Sequence, residues 1–247
     1  MTRIAAIADR HGLLLIEDAA HSIGTRYRGT PVGSIADLTT FSFHPVKTVT
    51  AGEGGAVMAR DPELARRVEL FSRHGITRDP GLLQERGNSN WYYEQQMLGY
   101  NYRLTDIQCA LALSQLNKLE SFAARRKELV RRYDQALAQI PEVRLQRENE
   151  GSDSVRHLYI LRLDFEGLSC TRREFYNAMQ AENIGVNVHY IPVYYFPYYQ
   201  ARGYQRGLCP SAQAYYDSCM TLPLHCAMTD QDQRDVICAV EKVAAYY

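Results

Sequence analysis

Three short stretches of this sequence carry residues whose types and spacing could do chemistry. Asp18 closes an apolar run, Leu13-Leu14-Leu15-Ile16, and is followed by Ala19-Ala20-His21. Lys47 ends the segment FSFHPVK, residues 41–47, and lies 29 positions after Asp18. Gly52-Glu53-Gly54-Gly55 comes directly behind it. Phe43, Pro45 and Val46 surround Lys47 in the chain, so its amine is a candidate for partial desolvation. Desolvation lowers an amine's pKa and makes it a nucleophile able to condense with a carbonyl. Singly, each stretch also has a plainer reading. A strand-end Asp can cap a helix, a loop Lys can be a solvated charge, and GEGG lacks the spacing and context of a dinucleotide loop and reads as a tight turn.

The elements that must position these groups follow from periodicity. Residues 1–11 have a helical stripe (Ile4, Ala5, Ile7, Ala8) ended by Gly12. Leu13–Ile16 predicts a strand buried on both faces of a parallel sheet, with Glu17 and Asp18 at its carboxyl end, where ligands sit in such sheets. Strand-like pieces recur at 25–27, 38–43 and 55–58. Asp61-Pro62-Glu63 opens a helix that runs to about His74. Residues 76–103 read as a long loop, of the kind that is functional or interfacial. Thr105-x-x-Gln108 is a capping box opening a single helical pattern to about 140, long enough to connect two domains. Beyond it, Leu158–Phe165 and Ile184–Ile191 predict strands, and Thr171-x-x-Glu174, Pro210 and Thr229-x-x-Asp232 predict helix starts. The expected division is 1–140, including the connecting helix, and 141–247, a smaller α+β domain.

Composition narrows the function classes. The chain has 247 residues, 46% hydrophobic and 23% charged, enough apolar content for a real core. Lys plus Arg and Asp plus Glu are both 28, so no basic excess points to nucleic acid or to anionic lipid. No apolar run suits a membrane span and the N-terminus does not read as an export signal, which predicts a cytoplasmic protein. Cys109, Cys170, Cys209, Cys219, Cys226 and Cys238 include no C-x-x-C pair and read as reduced thiols. The histidines are scattered, so no metal site is expected. No G-x-S-x-G motif supports a serine hydrolase.

Taken together, IEDAAHSIGTRYRG (16–29), FSFHPVK (41–47), GEGGAV (52–57) and GYNYRLTDIQCALALSQLNKL (99–119) resemble the DegT/DnrJ/EryC1/StrS family. These are sugar aminotransferases dependent on pyridoxal 5'-phosphate (PLP). WYYEQQMLGYNYR (91–103) and VNVHYIPVYY (186–195) are most similar to the pseudaminic acid branch. That branch moves an amino group from glutamate to C4 of a UDP-linked 4-keto-6-deoxy-N-acetyl sugar. The resemblance implies an α/β fold: part of a type I PLP-dependent aminotransferase large domain, with a mainly parallel sheet and helices on both faces, plus the small α+β domain.

The resemblance also implies roles. Lys47 matches the lysine that holds the cofactor and then moves a proton as catalytic base. Asp18 matches the carboxylate that pairs with the pyridinium nitrogen. His21 matches a position beside the ring, and Ser42 a hydroxyl near the cofactor phosphate. Asn101 matches an amide that reaches the phosphate of a neighbouring subunit's cofactor, which implies a homodimer with shared sites. Asn187, His189 and Tyr190 match a segment near the sugar nucleotide, although His189 in an alternating strand fits a structural role equally. Tyr194-Tyr195 and Tyr198-Tyr199 could line a uridine pocket or pack an interface. Arg103 could meet a phosphate or a carboxylate, or brace Asp106. A dehydratase relative would carry His in place of Lys47. The family pattern's N-terminal third, with its phosphate loop and ring-stacking aromatic, is not in this sequence. The alternative expectation is therefore a truncated, catalytically impaired homologue that dimerises or binds nucleotide sugar without turnover.

Overall fold

A computed structural model describes residues 1–85 and 89–247. The helices are α1 (Thr2–Arg10), α2 (Pro62–Ser72), α3 (Asp106–Leu116), α4 (Leu119–Leu137), α5 (Arg172–Ala181), α6 (Pro197–Gln200), α7 (Pro210–Ser218) and α8 (Asp230–Tyr246), with a 3₁₀ turn at Val193–Tyr195. The strands are β1 (Ile16–Asp18), β2 (Arg26–Tyr27), β3 (Thr30–Pro31), β4 (Leu38–Ser42), β5 (Gly55–Ala59), β6 (Ile76–Thr77), β7 (Glu94–Gln95), β8 (Val143–Arg144), β9 (Ser152–Asp153), β10 (Tyr159–Leu163) and β11 (Cys219–Leu222). The caps written in the sequence start these helices. Asp61 accepts from the Glu63 N–H at 2.8 Å, and Thr105, Thr171 and Thr229 each form a capping box that satisfies first-turn donors.

The chain divides into two compact units, one of residues 1–120 with 151–155 and one of residues 121–150 with 156–247. That division falls at 120/121, whereas sequence analysis placed it at 140/141. The expected single helix over 105–140 is two helices. At its break the Lys118 N–H bonds the Gln115 carbonyl, a 3₁₀-type closure that ends α3 before α4 begins.

In the first unit, β1, β4 and β5 form one sheet. β1 and β4 run parallel with Ile16, Glu17 and Asp18 opposite Leu38, Thr39 and Thr40. β4 and β5 run antiparallel, with Ser42 opposite Gly55. These three strands thus form one parallel and one antiparallel pair, because the short 43–54 loop returns the chain directly beside β4. Leu13, Leu14 and Ile16 are 62%, 60% and 63% exposed, not buried on both faces as expected. β1 pairs with β4 alone, and no layer of the described residues covers this run. The expected 76–103 loop contains the small β6–β7 hairpin, and its residues 86–88 lie outside the described residues. An apolar cavity of about 760 Å³ is lined by residues including Leu38, Thr40, Val57, Val68 and Phe71; neither Asp18 nor Lys47 lines it.

In the second unit, β10 is flanked antiparallel by β11 and β8. Its alternation puts Tyr159, Leu161 and Leu163 into a core with Leu129, Tyr133 and Leu137 of α4, Phe175 and Met179 of α5, and Val236 and Val240 of α8. Beneath this core the Arg126 guanidinium is 97% buried with no carboxylate partner among the described residues. Its Nη1 donates instead to the carbonyls of Arg156, His157 and Leu224. The strand expected over Ile184–Ile191 is absent. Only Asn187 bridges to Thr221 of β11, and the chain then leaves the sheet toward Pro192.

Candidate functional site

The carboxyl ends of β1 and β4 carry the candidate chemistry. Asp18 ends β1 in register with Thr40, and Ser42 stands two residues further along β4. Strand alternation therefore puts Asp18, Thr40 and Ser42 on one face. Asp18 Oδ1 accepts from the Ala20 N–H at 3.0 Å, a local turn that stops the strand and orients the carboxylate. His21 follows in that turn and is exposed. Ser42 is half-buried and its Oγ accepts weakly from the His44 N–H at 3.4 Å.

Lys47 sits in the 43–54 loop, which is closed by its own backbone. The Phe43 N–H donates to the Gly54 carbonyl at 2.8 Å, while the Phe43 carbonyl accepts from Ala51 N and Thr50 Oγ1. Val49 and Ala51 bury into a small cluster with Phe43 and with Ala112 of α3, so the middle of the loop is packed while residues 44–46 and 52–54 are exposed. A tight turn of His44–Lys47 (Lys47 N to His44 O, 3.0 Å) presents the lysine. Burial pushes the Lys47 amine below the ordinary lysine range, and the Asp18 carboxylate opposes part of that shift. These two sequence candidates are thus close enough to act on each other. His44 Nε2 and Glu53 Oε1 face each other at 3.9 Å at the loop's open side.

The glycine-rich GEGG stretch makes the expected tight return. Gly54 has φ of +135°, and a β-carbon there would lie 2.5 Å from Leu104 Cδ2. A β-carbon on Gly55 would lie 2.5 Å from the Phe41 carbonyl oxygen. Both positions admit only hydrogen.

Asn101 belongs to the same unit but to another wall. Residues 100–102 run beside the end of α2, with Tyr100 N on the Phe71 carbonyl, His74 N on the Tyr100 carbonyl and Tyr102 N on the Ser72 carbonyl. Arg73 and Asn101 form an isolated antiparallel bridge, and the Asn101 side chain is exposed. In the second unit Asn187 and Tyr190 are exposed, while His189 is half-buried with Nδ1 2.7 Å from Thr221 Oγ1. Burial lowers the His189 pKa.

Two features near the site were not legible in the sequence, one on α3 and one on the opposite face of β1. Gln108 reads in sequence as a capping residue only, yet its Nε2 reaches the Glu53 carbonyl at 3.1 Å. Glu17 reads as a strand end, yet its Oε2 is buried without a hydrogen-bond partner. The Gln108 contact has no sequence signal, because it joins residues 55 positions apart in the chain. Among the described residues no group of three or more His, Cys, Asp or Glu is placed to hold a metal, and no helix is long and apolar enough to cross a membrane.

The DegT/DnrJ/EryC1/StrS aminotransferase family profile matches residues 1–241. The spore coat polysaccharide biosynthesis protein SpsC of Bacillus subtilis is 40% identical over 245 residues, covering 98% of this chain and 63% of SpsC. A UDP-4-amino-4,6-dideoxy-N-acetyl-beta-L-altrosamine transaminase of Campylobacter jejuni is 35% identical over 96% of this chain and 60% of its own length. This chain therefore spans less than two thirds of the length of these relatives. Among solved structures, Helicobacter pylori PseC, an aminotransferase involved in the biosynthesis of pseudoaminic acid, superposes with a TM-score of 0.87 at 28% identity, covering 98% of this chain and 62% of PseC. The PLP form of Spr1654 from Streptococcus pneumoniae superposes at 0.82 and 32% identity, covering 95% of this chain and 58% of that one. With a profile match across nearly its whole length, this chain belongs to the DegT/DnrJ/EryC1/StrS aminotransferase family.

Proposed function

We propose that this chain carries the catalytic lysine of a PLP-dependent nucleotide-sugar aminotransferase. Its amino donor is glutamate and its acceptor the C4 carbonyl of a UDP-linked 4-keto-6-deoxy-N-acetyl sugar. The observation that carries the reading is the placement of Asp18 at the end of β1, in register with Thr40 of β4, with a half-buried Lys47 in the closed loop that follows β4. The residues fit the group: an amine for an aldehyde carbon in the loop after β4, a carboxylate for a ring nitrogen at the end of β1, and the Ser42 hydroxyl for a phosphate at the end of β4.

PLP supplies an electron sink for the carbanion formed when the donor loses its α-proton. Within that chemistry Asp18 holds a negative charge where a protonated ring nitrogen needs one. With the group bound, the Lys47 amine would be the base that takes up and returns the donor's α-proton. Ser42 hydrogen-bonds an anionic oxygen. His21, in the turn beyond Asp18, would help hold the group. The exposed Asn101 amide reaches the cofactor phosphate of a second copy in a homodimer. Asn187, His189 and Tyr190 of the second unit contact the sugar nucleotide. The reaction belongs in the cytoplasm, where nucleotide sugars are made.

A second reading, binding without turnover, is favoured by the exposed Leu13, Leu14 and Ile16 beside Asp18. A solvated carboxylate holds a ring charge more weakly than a buried one.

One experiment separates the readings. Purified protein is mixed with PLP, reduced with borohydride and digested for mass spectrometry. A reduced adduct on Lys47, together with spectral changes on adding glutamate and then UDP-keto sugar, supports the aminotransferase. Sugar binding without an adduct supports the second reading.

A further inference from the structure

We propose that Gln108 is a positioning residue that fastens the Lys47 loop to the start of α3, and through it to the Asn101 segment. This inference rests on the proposed roles of Lys47 and Asn101, and gives the pair a common frame.

The carboxamide of Gln108 does two jobs with two different atoms. Its Oε1 accepts from the Thr105 N–H at 3.0 Å, completing the capping box that begins α3. Its Nε2 donates to the Glu53 carbonyl at 3.1 Å, 55 residues away in the chain. Capping requires only the first bond. The second is a tertiary tether, and it lands on the return of the Lys47 loop, one residue before the Gly54 carbonyl that accepts from Phe43.

Two further contacts reinforce the tether. Leu104 fills the space a β-carbon on Gly54 would occupy. Ala112, one turn beyond Gln108 on α3, packs with Val49 and Ala51 on either side of Thr50 in the loop. The same α3 entry continues backward through Arg103 and Tyr102 to Asn101, which the end of α2 holds by backbone bonds. Lys47 and Asn101 are thus fixed to one α3 start from opposite directions. A loop held this way keeps its lysine partly dry. The charged group that acts on that lysine is Asp18 from β1, and the loop itself also carries His44 and Glu53, which face each other.

Two variants test this in the whole chain. Gln108→Glu keeps an acceptor for the Thr105 N–H and removes the donor to Glu53. Gln108→Met is neutral and of similar length but makes neither bond. Backbone hydrogen exchange reads the tether without cofactor. In Gln108→Glu the Phe43 and Ala51 amides should exchange about fivefold faster or more, while Cys109 in the first turn of α3 keeps its protection. The pH profile of Lys47 labelling by an amine reagent reads the consequence. Its midpoint should move upward in both variants as the loop admits water.

Unchanged Phe43 and Ala51 exchange, or an unmoved Lys47 midpoint in both variants, overturns the proposal. So does a midpoint shift confined to Gln108→Glu, which would be the new charge acting alone. Absence of a borohydride adduct on Lys47 in the parent would defeat the aminotransferase reading instead, since neither exchange nor labelling needs cofactor.

Discussion

His189 Nδ1 lies 2.7 Å from Thr221 Oγ1, across the single bridge that joins Asn187 to β11. One ring nitrogen is therefore committed to the fold, and Nε2 is the atom through which this histidine could meet a sugar nucleotide. The structural and ligand roles that the sequence left open can coexist on the two nitrogens.

His189 predicts an acid-side loss of stability. Burial holds its folded pKa below the ordinary histidine value, so the unfolded chain binds the proton first. Above the ordinary range both states are neutral and no cost arises. As pH falls through and below that range, stability should drop. His189→Gln should flatten this part of the profile, read as Tm against pH.

Glu17 predicts the opposite slope. Burial raises its folded pKa, and the hydroxyl of Thr39, opposite it in the β1–β4 register, pulls the other way. The folded state therefore holds its proton to higher pH than the unfolded state, and stability falls as pH rises above the ordinary glutamate range. Glu17→Gln should remove that fall and leave Tm at neutral pH equal to or above the parent's.

Asp18→Asn should shift Lys47. The carboxylate raises the lysine pKa against the dominant effect of burial. Its removal should move the midpoint of Lys47 labelling to lower pH, while PLP loading weakens because the ring nitrogen loses its counter-charge. Labelling is read by mass spectrometry and loading by absorbance titration. An unmoved midpoint would contradict the pairing.

Arg126→Met should destabilise the second unit by about 2–4 kcal/mol, measured by urea denaturation. The methionine fills much of the volume, yet the Arg156, His157 and Leu224 carbonyls lose the donor they share. Restoring charge with Arg126→Lys should recover only part of the loss, since an ammonium cannot reproduce the guanidinium fork.

Local features were readable from the residues alone. Thr105-x-x-Gln108, Thr171-x-x-Glu174, Thr229-x-x-Asp232 and Asp61 start helices where they stand, because a capping bond needs only neighbours within one turn. The motif order around Asp18, Lys47 and Asn101 determined the family, since each motif holds its residue types in place regardless of the rest of the chain. Tertiary structure alone decided what distant partners control. It split the 105–140 helix at Asn117–Lys118, left Leu13–Ile16 uncovered, and reduced the 184–191 strand to one bridge. Periodicity records which side chains are apolar, but not whether another layer arrives to cover them. It also decided that the Gln108 amide reaches Glu53 and that Asp18 acts on Lys47. Those contacts form only when strands and loops far apart in the chain converge, and no local pattern encodes that convergence.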